Sequence, residues 1–552
     1  MIFFREFKVY ITMKCSCLNS CTSILNIILV IAALSCQTKN HETKKDVKIT
    51  VETDSIINQM KAGIGVNFTN LQDSFPVVQL QHQYRSYAGS TWGANPALQD
   101  SASWQKVFDY ADWLGLDLVR VFITRNIFEK HKGQFDFNNS EMQYLYKYLD
   151  YCQKNNIDVF LQNFFNNVDW LAVSTAGKDP IKLLRSAPND LDAYTDGFVR
   201  LLNHLINEKK YSCIKYFCLT NEPYENWSWY IESFDPDKFA SPEPAFKMMQ
   251  EKLIKNNLPV KLSGPDVSIY LSSKIVPQMS MFKHFNAFDI HSYVTRFDWW
   301  ADSTMTFEDG SYGEVNKIKD TEKQYSTWVQ QAKKDRKPFI ISEMGSFIYG
   351  FGEDTVGMST YPALLKDVES VMRYSNIGMD GFMRWSFLNR GNLDGKWQFV
   401  NTWNMKLNTL LTADSLTTHN VPFYMWGTLS RFTPKQANIL KSTVNGGKIG
   451  ENQRVFATTY QSPINKNISV FILNDSELDL ELTLELKKIS QYKKFYKYAL
   501  TKELINKPDF ELNPIDSIAF HGPLKNVKLS PQSVLLFSTY KLSSTQKGII
   551  TD

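Results

Sequence analysis

Apolar residues recur in two alternating rhythms up to about residue 405, and in only one of them afterwards. Short runs that are apolar almost throughout are followed by stretches where apolar residues return every three or four positions. The runs are Gly63 to Phe68, Leu116 to Thr124, Asp158 to Phe164, Ile214 to Leu219, Val260 to Ser263, Phe288 to Tyr293, Phe339 to Ser342 and Gly381 to Phe387. Each is short and sharply bounded, as a buried strand should be. Helical spacing shows in Trp104, Val107, Phe108, Ala111 and Leu114, in Met142, Leu145, Leu149 and Cys152, and in Tyr194, Phe198, Leu201 and Leu205. The fifth helix and the segment from Thr295 to Asn316 show no clear rhythm. Eight buried strands with helical patterns between most of them predict an α/β fold, a (β/α)8 TIM barrel over residues 61–405.

Beyond that point the pattern alternates with period two: Val455 to Tyr460, Ile468 to Leu473, Leu478 to Leu486, Lys494 to Leu500 and Val534 to Ser538. Asn445-Gly446-Gly447 and Asn474-Asp475 supply turns. This predicts a C-terminal β-sandwich over residues 406–545. Lys48-Ile49-Thr50-Val51 alternates in the same way, so residues 47–60 are expected to add a strand to that sandwich.

The first 36 residues read as an export signal rather than as structure. Arg5, Lys8 and Lys14 precede an apolar run, Ile27 to Leu34, that is too short to span a membrane. Met13-Lys14 offers a second, more compact start. Ala33-Leu34-Ser35-Cys36 resembles a bacterial lipoprotein signal, with Ala33 where that pattern prefers Leu. The resemblance implies lipidation at Cys36, a polar tether over residues 37–46, and a place at the outer membrane or cell surface. A plain signal cleaved nearby would instead make the protein periplasmic or secreted.

Composition is ordinary for a globular chain, 43% hydrophobic and 21% charged over 552 residues. A formal charge of +4 with no basic face argues against nucleic acid as a partner. Of seven cysteines, only Cys152, Cys213 and Cys218 follow Cys36. All three sit in apolar segments, so no disulfide framework is expected. No Cys/His spacing suits a metal, and the reading needs no cofactor. A monomer is expected.

The chemistry centres on the stretch from Cys218 to Trp227, CLTNEPYENW. Pro223 lacks a backbone N–H, so the strand from Ile214 stops near Glu222 and sets a carboxyl group at its tip. The stretch KPFIISEM, Lys337 to Met344, repeats the design and places Glu343 at a second tip. A Glu at a strand end is most often a solvated residue or a cap. Two of them, on strands four and seven of a closed barrel, face one another over its mouth. That is the equipment for glycosidic bond cleavage.

Asn221-Glu222-Pro223 and Glu343 resemble the paired motif of clan A of the glycoside hydrolases. The appended sandwich, with Val421 to Pro434 leading into it, is similar to families 30, 39 and 79. The resemblance implies retaining hydrolysis of a β-linked poly- or oligosaccharide, with Glu222 as acid/base and Glu343 as nucleophile. It also implies that Arg120 steadies the nucleophile, that Asn221 contacts the hydroxyl beside the anomeric centre, and that Tyr293 bonds the nucleophile. His291 shares a face with Tyr293 and is a candidate to position a carboxylate or bind substrate. Asn163 at the end of strand three and Trp385 on strand eight are candidates for the sugar pocket. Trp299, beside Trp300 in a long loop, is a candidate sugar platform. Trp170 is a weaker one, as are Trp227 and Trp229. For Arg120 an internal salt bridge is an equal reading. His291, Asn163 and Trp385 also read as packing.

Two rival functions stay open. A surface carbohydrate-binding lipoprotein that had lost catalysis would be expected to lack one of the two Glu residues. A transglycosylase needs both, and sequence does not separate it from a hydrolase.

Overall fold

The chain enters the fold on β1 (Asp46–Gln59), whose side chains alternate: Val47, Ile49 and Val51 are buried, Asp46 and Lys48 exposed. The computed structural model describes residues 46–68, 95–164, 166, 168–177, 183, 186–223, 229, 241–267, 280–295, 318–347, 360–389, 397–404, 407, 409–449, 452–488 and 494–542. Cys36, Trp227 and Trp299 lie outside the described residues, as does most of the segments 71–100 and 295–316.

Eight parallel strands then close into a barrel: β2 (Gly63–Asn67), β3 (Leu118–Ile123), β4 (Asp158–Asn163), β5 (Ile214–Cys218), β6 (Lys261–Val267), β7 (Ala287–Thr295), β8 (Phe339–Phe347) and β9 (Gly381–Arg384). Closure is made by β2 against β9, from Gly63↔Gly381 to Val66↔Arg384. At the entry to β2, Gly63 has φ +93°, and a Cβ there would lie 2.3 Å from Oδ2 of Asp117. That carboxyl is needed where it is, because it accepts from the Ile64 N–H at 3.3 Å.

Three of the described barrel helices start where the sequence supplies a capping side chain. Asp100 accepts from Ser103 N at 3.0 Å, Asn139 from Met142 N at 2.9 Å and Asp190 from Ala193 N at 3.0 Å. They open the helices Ser101–Leu114, Ser140–Lys154 and Leu191–Asn203. One boundary departs from the expectation. Asn420–Phe432 packs between Ser101–Leu114 and Tyr361–Ile377 and closes the helical ring, so the barrel runs well past residue 405. Its Trp426 Nε1 donates to the Gly65 carbonyl of β2 at 3.0 Å. The insertion after β9, with its short strand pairs, interrupts the strand–helix rhythm and hides this last helix from a periodicity reading.

Apart from the short pair Lys448–Ile449 and Asn452–Gln453, the remaining described strands form one nine-stranded sheet. Its order is Asp516–Ala519, Lys494–Leu500, Ser533–Ser538, Ile468–Asn474, Val455–Gln461, Asn438–Asn445, β1, Leu480–Lys487, Leu524–Leu529. β1 runs antiparallel to Asn438–Asn445 and parallel to Leu480–Lys487. Leu482 and Leu484 from one wing share a core with Val470, Ile472 and Phe537 from the other, so the sheet curls over itself as a sandwich. Alternate residues such as Phe471 and Leu473 face the opposite way and join the barrel core. Helix Tyr361–Ile377 takes the load between the two: Tyr361 Oη donates to the Leu500 carbonyl at 2.9 Å, and Thr458 Oγ1 to the Met372 carbonyl at 3.0 Å.

Three buried carboxyls make stability depend on pH. Burial pushes Asp117 up to about 7, Asp380 to about 6 and Glu369 to about 7, from ordinary values of 3.8, 3.8 and 4.5. Each prefers its proton more in the folded than in the unfolded chain. The resulting penalty is absent below about pH 4 and complete above about pH 7. The melting temperature should therefore rise as pH is lowered from 8 to 5.5, and Asp117→Asn should flatten part of that slope. A melting temperature that falls over this interval would contradict the assignment.

Candidate active site

Inside the barrel, strand parity decides which side chains meet. On β3, Arg120 and Phe122 face inward, with the guanidinium carbon 4.7 Å from the centre of the Phe122 ring. On β7 the inward face carries Asp289, His291 and Tyr293. Glu343 sits opposite His291 in the β7–β8 register, and β8 continues past it to Phe347, so Glu343 lies within the strand rather than at its tip. β5 stops at Cys218. The backbone then turns through a left-handed Glu222 (φ +47°), whose N–H donates to the Asp266 carbonyl at 3.0 Å. This turn aims the Glu222 side chain at the centre of the barrel.

Arg120 is the hub, buried completely. Nη1 donates to Oε2 of Glu343 at 2.6 Å and to Oδ1 of Asn67 at 3.2 Å. Nη2 donates to Oδ1 of Asn221 at 3.0 Å and to both oxygens of Asp266, at 3.1 and 3.2 Å. His291 lies between the carboxyl groups. Its Nδ1 is 2.6 Å from Oε1 of Glu222, and its Nε2 is 3.0 Å from Oδ1 of Asp266. Tyr293 donates its hydroxyl to Oε1 of Glu343. Gln162 and Ser342 donate to Asp266 at 3.1 and 3.2 Å.

The electrostatics divide the two Glu residues. Burial raises the Glu222 carboxyl above its ordinary range, His291 opposes the rise, and the nearby Glu343 charge adds to it. Glu222 is thus suited to hold a proton and release it. Glu343 has each oxygen engaged by a donor, Arg120 on one and Tyr293 on the other, the arrangement that orients an attacking carboxylate. Burial alone would lower the proton affinity of His291. The Glu343, Asp266 and Glu222 carboxylates outweigh it and hold the imidazole protonated well above its usual range. Burial likewise opposes charge on Asp266, but Arg120 and His291 bring it below its ordinary value.

Arg120, Asn221, Glu222, His291, Tyr293 and Glu343 are therefore brought together. Trp385 borders them, its ring edge-on to Phe122 at 5.7 Å. Asn163 turns to the helix layer, where its amide donates to the Tyr194 hydroxyl at 3.0 Å and the Leu219 carbonyl at 2.8 Å. Its neighbour Gln162 points inward instead. Trp170 sits on a short turn after β4, donating to the Lys130 carbonyl at 3.1 Å, and Trp229 packs edge-on against Tyr194.

Asp266, Asn67, Gln162, Asp289 and Trp397 escaped the sequence reading. Trp397 braces Tyr293 edge-on at 5.5 Å, and a Cβ at Gly345 would lie 2.3 Å from its ring. The signal that was present for Asp266 is Ser263-Gly264-Pro265-Asp266, polar and turn-forming residues directly after an apolar run.

Glu222, His291 and Glu343 each offer one ligand atom, all within 4.8 Å of one another. They suit a metal poorly, because His291 favours its protonated, non-ligating form and Arg120 already neutralises Glu343.

No family model matches the sequence, and no curated protein matches it. Solved structures match the fold. A conserved exported protein from Bacteroides fragilis superposes with a TM-score of 0.59 at 13% identity, covering 89% of this chain and 100% of that one. An alpha-L-arabinofuranosidase from Thermotoga maritima gives 0.57 at 11% identity, covering 90% and 100%. A glycoside hydrolase family 30 subfamily 8 xylanase from Clostridium acetobutylicum gives 0.55 at 13%, covering 90% and 99%. At these identities the common property is the fold, a TIM barrel with a companion β-sandwich as found in glycoside hydrolases.

Proposed function

We propose that the protein is a retaining glycoside hydrolase that cleaves β-linked poly- or oligosaccharides. The observation that carries the reading is the carboxyl spacing. A Glu222 oxygen and a Glu343 oxygen lie within 4.8 Å of each other. Retaining enzymes place the two groups about 5–5.5 Å apart, whereas inversion needs roughly 6.5–9.5 Å to admit a water between them. In the first step Glu343 forms a bond to the anomeric carbon as the bond to the leaving oxygen breaks and Glu222 gives that oxygen its proton. In the second, Glu222 takes a proton from water, which displaces Glu343 and regenerates both groups. Arg120 and Tyr293 keep the Glu343 oxygens oriented for attack. Asn221, tied to Arg120, stands beside the acid to meet the hydroxyl next to the reacting carbon.

The matched folds include a xylanase and an endo-beta1,6-glucanase, which supports including β-linked xylan and glucan among the first substrates to try. Incubation with a panel of aryl glycosides and β-linked polysaccharides should give reducing sugar. The first-formed product, followed by proton NMR before mutarotation, should keep the substrate's anomeric configuration. An inverted first product would refute the double displacement, and no turnover across the panel would count against hydrolysis itself.

We also propose that the chain is exported and held by lipid on Cys36, on the strength of the Ala33-Leu34-Ser35-Cys36 stretch. Cys36→Ser should shift the protein from the membrane fraction to the soluble fraction with its specific activity intact, as judged by fractionation and assay. Wild-type protein found wholly soluble outside the cell would refute the anchor.

A further inference from the structure

Beneath the reacting groups lies a second carboxyl pair that the mechanism above leaves unused. Asp289 points inward from β7 at complete burial, and Asp266 on β6 lies within hydrogen-bond reach. Among the described residues, no N–H or O–H reaches either Asp289 oxygen. Asp266 is the opposite case: Arg120, His291, Gln162 and Ser342 all donate to it. A hydrogen bond between two carboxyl groups needs one proton. Since Asp266 is occupied as an acceptor, the proton belongs on Asp289.

We propose that Asp289 is a neutral carboxylic acid at working pH, a positioning residue that donates to Asp266 and fixes Asp266 between Arg120 and His291. The inference deepens the glycosidase reading and rests on it for its catalytic consequence. Its physical motive is charge balance in a sealed space. The groups facing the pair are Arg120 from β3, Gln162 from β4, Cys218 after burial in β5, His291 from β7, and Ser342 and Glu343 from β8. Glu222 completes the set through His291. With Asp289 and Glu222 protonated, two cations (Arg120 and His291) meet two anions (Asp266 and Glu343). When Glu343 becomes an ester and Glu222 gives up its proton, the cations meet Asp266 and Glu222 instead. The sum is zero before and after the step. An ionised Asp289 would leave one uncompensated buried anion at both stages, which a desolvated site tolerates poorly. Burial and the Asp266 charge both push the Asp289 carboxyl well above its ordinary range, in agreement.

Infrared difference spectra of the full chain in heavy water at pH 7 test this directly. A neutral carboxyl has a C=O stretch that a carboxylate lacks. Asp289→Asn should remove one such band from the wild-type spectrum, and Glu222→Gln should remove another. No band lost in Asp289→Asn overturns the proposal, whatever the activity. The kinetic arm uses two variants. Asp289→Leu removes the donor and should lower kcat about tenfold, the worth of one hydrogen bond. Asp289→Asn keeps an N–H toward Asp266 and should recover most of that loss with the alkaline limb of the pH profile in place. If the alkaline limb of Asp289→Asn falls by about a unit or more, an anion has been removed and the proposal fails. Should the wild type turn over no glycoside, the functional reading fails while the infrared result still decides the state of Asp289.

Discussion

Glu343→Gln is expected to lower turnover of every substrate by roughly 10⁴-fold or more, the scale of losing a covalent nucleophile. The amide cannot form the glycosyl ester, and its neutral oxygen no longer balances Arg120, 2.6 Å away. Glu222→Ala should behave differently. With an aryl glycoside whose leaving group needs no proton, the first step should survive, and the glycosyl-enzyme should accumulate because no base remains to activate water. Intact-mass spectrometry should show the adduct. Azide, an anion that needs no base, should restore turnover in the Glu222 variant alone and give a β-glycosyl azide from a β-glycoside. Azide rescue of the Glu343 variant with retained configuration, and none for the Glu222 variant, would mean the two roles are reversed, and full activity in either variant would remove that residue from the mechanism.

Arg120→Met should cost stability as well as activity. Removing the guanidinium that meets Glu343, Asp266, Asn221 and Asn67 leaves two buried anions with His291 as their one remaining cation among the described residues, and breaking such a pair costs about 3–5 kcal/mol. The deficit has a definite pH dependence. Protonating the stranded carboxylates relieves the unpaired charge, so the gap between variant and wild type in urea unfolding should be widest near pH 8 and narrow toward pH 5. A gap that is the same at both ends would mean that Arg120 contributes packing rather than charge. Catalysis should fall in parallel, because the Glu343 oxygen loses the donor that orients it.

Much of this site was visible in the sequence because barrel strands are buried runs in which a charged or hydrogen-bonding residue stands out. Arg120 interrupts LDLVRVFIT, and His291 and Tyr293 alternate on one strand. Parity was the harder problem. Asn163 and Gln162 are adjacent, and only the register of β4 shows that Gln162 faces the barrel interior while Asn163 faces the helix layer. Asp266 was hidden for a different reason. Pro265 reads as the end of a strand, yet β6 runs on to Val267 through an irregularity in its pairing with β7. The left-handed Asp266 (φ +58°) at that irregularity brings its side chain to Arg120 and His291. The closing helix Asn420–Phe432 was concealed by the length of the insertion before it. In each case the missing information was a local irregularity or a long-range pairing, which apolar periodicity does not record.

The placement of β1 has a consequence for how the molecule is made. A chain that emerges N-terminus first, from a ribosome or from a translocation channel, presents this strand before anything it pairs with. Its parallel partner begins about 435 residues later, where Asp46 meets Glu481. At synthesis rates of about 5–20 residues per second, the wait is on the order of 20 to 90 seconds. Until Asn438–Asn445 is made, late in that wait, a strand of 14 residues carries two bare edges, the kind of template on which chains aggregate. Its own polar face answers the hazard. Asp46, Lys48, Glu52 and Asp54 put a charge at nearly every second position, so two nascent copies that meet edge to edge bring like charges and desolvation costs along with their hydrogen bonds. Lys48, Glu52 and Asp54, which on the finished surface pair with Glu485, Lys441 and Lys488, guard the strand while it waits.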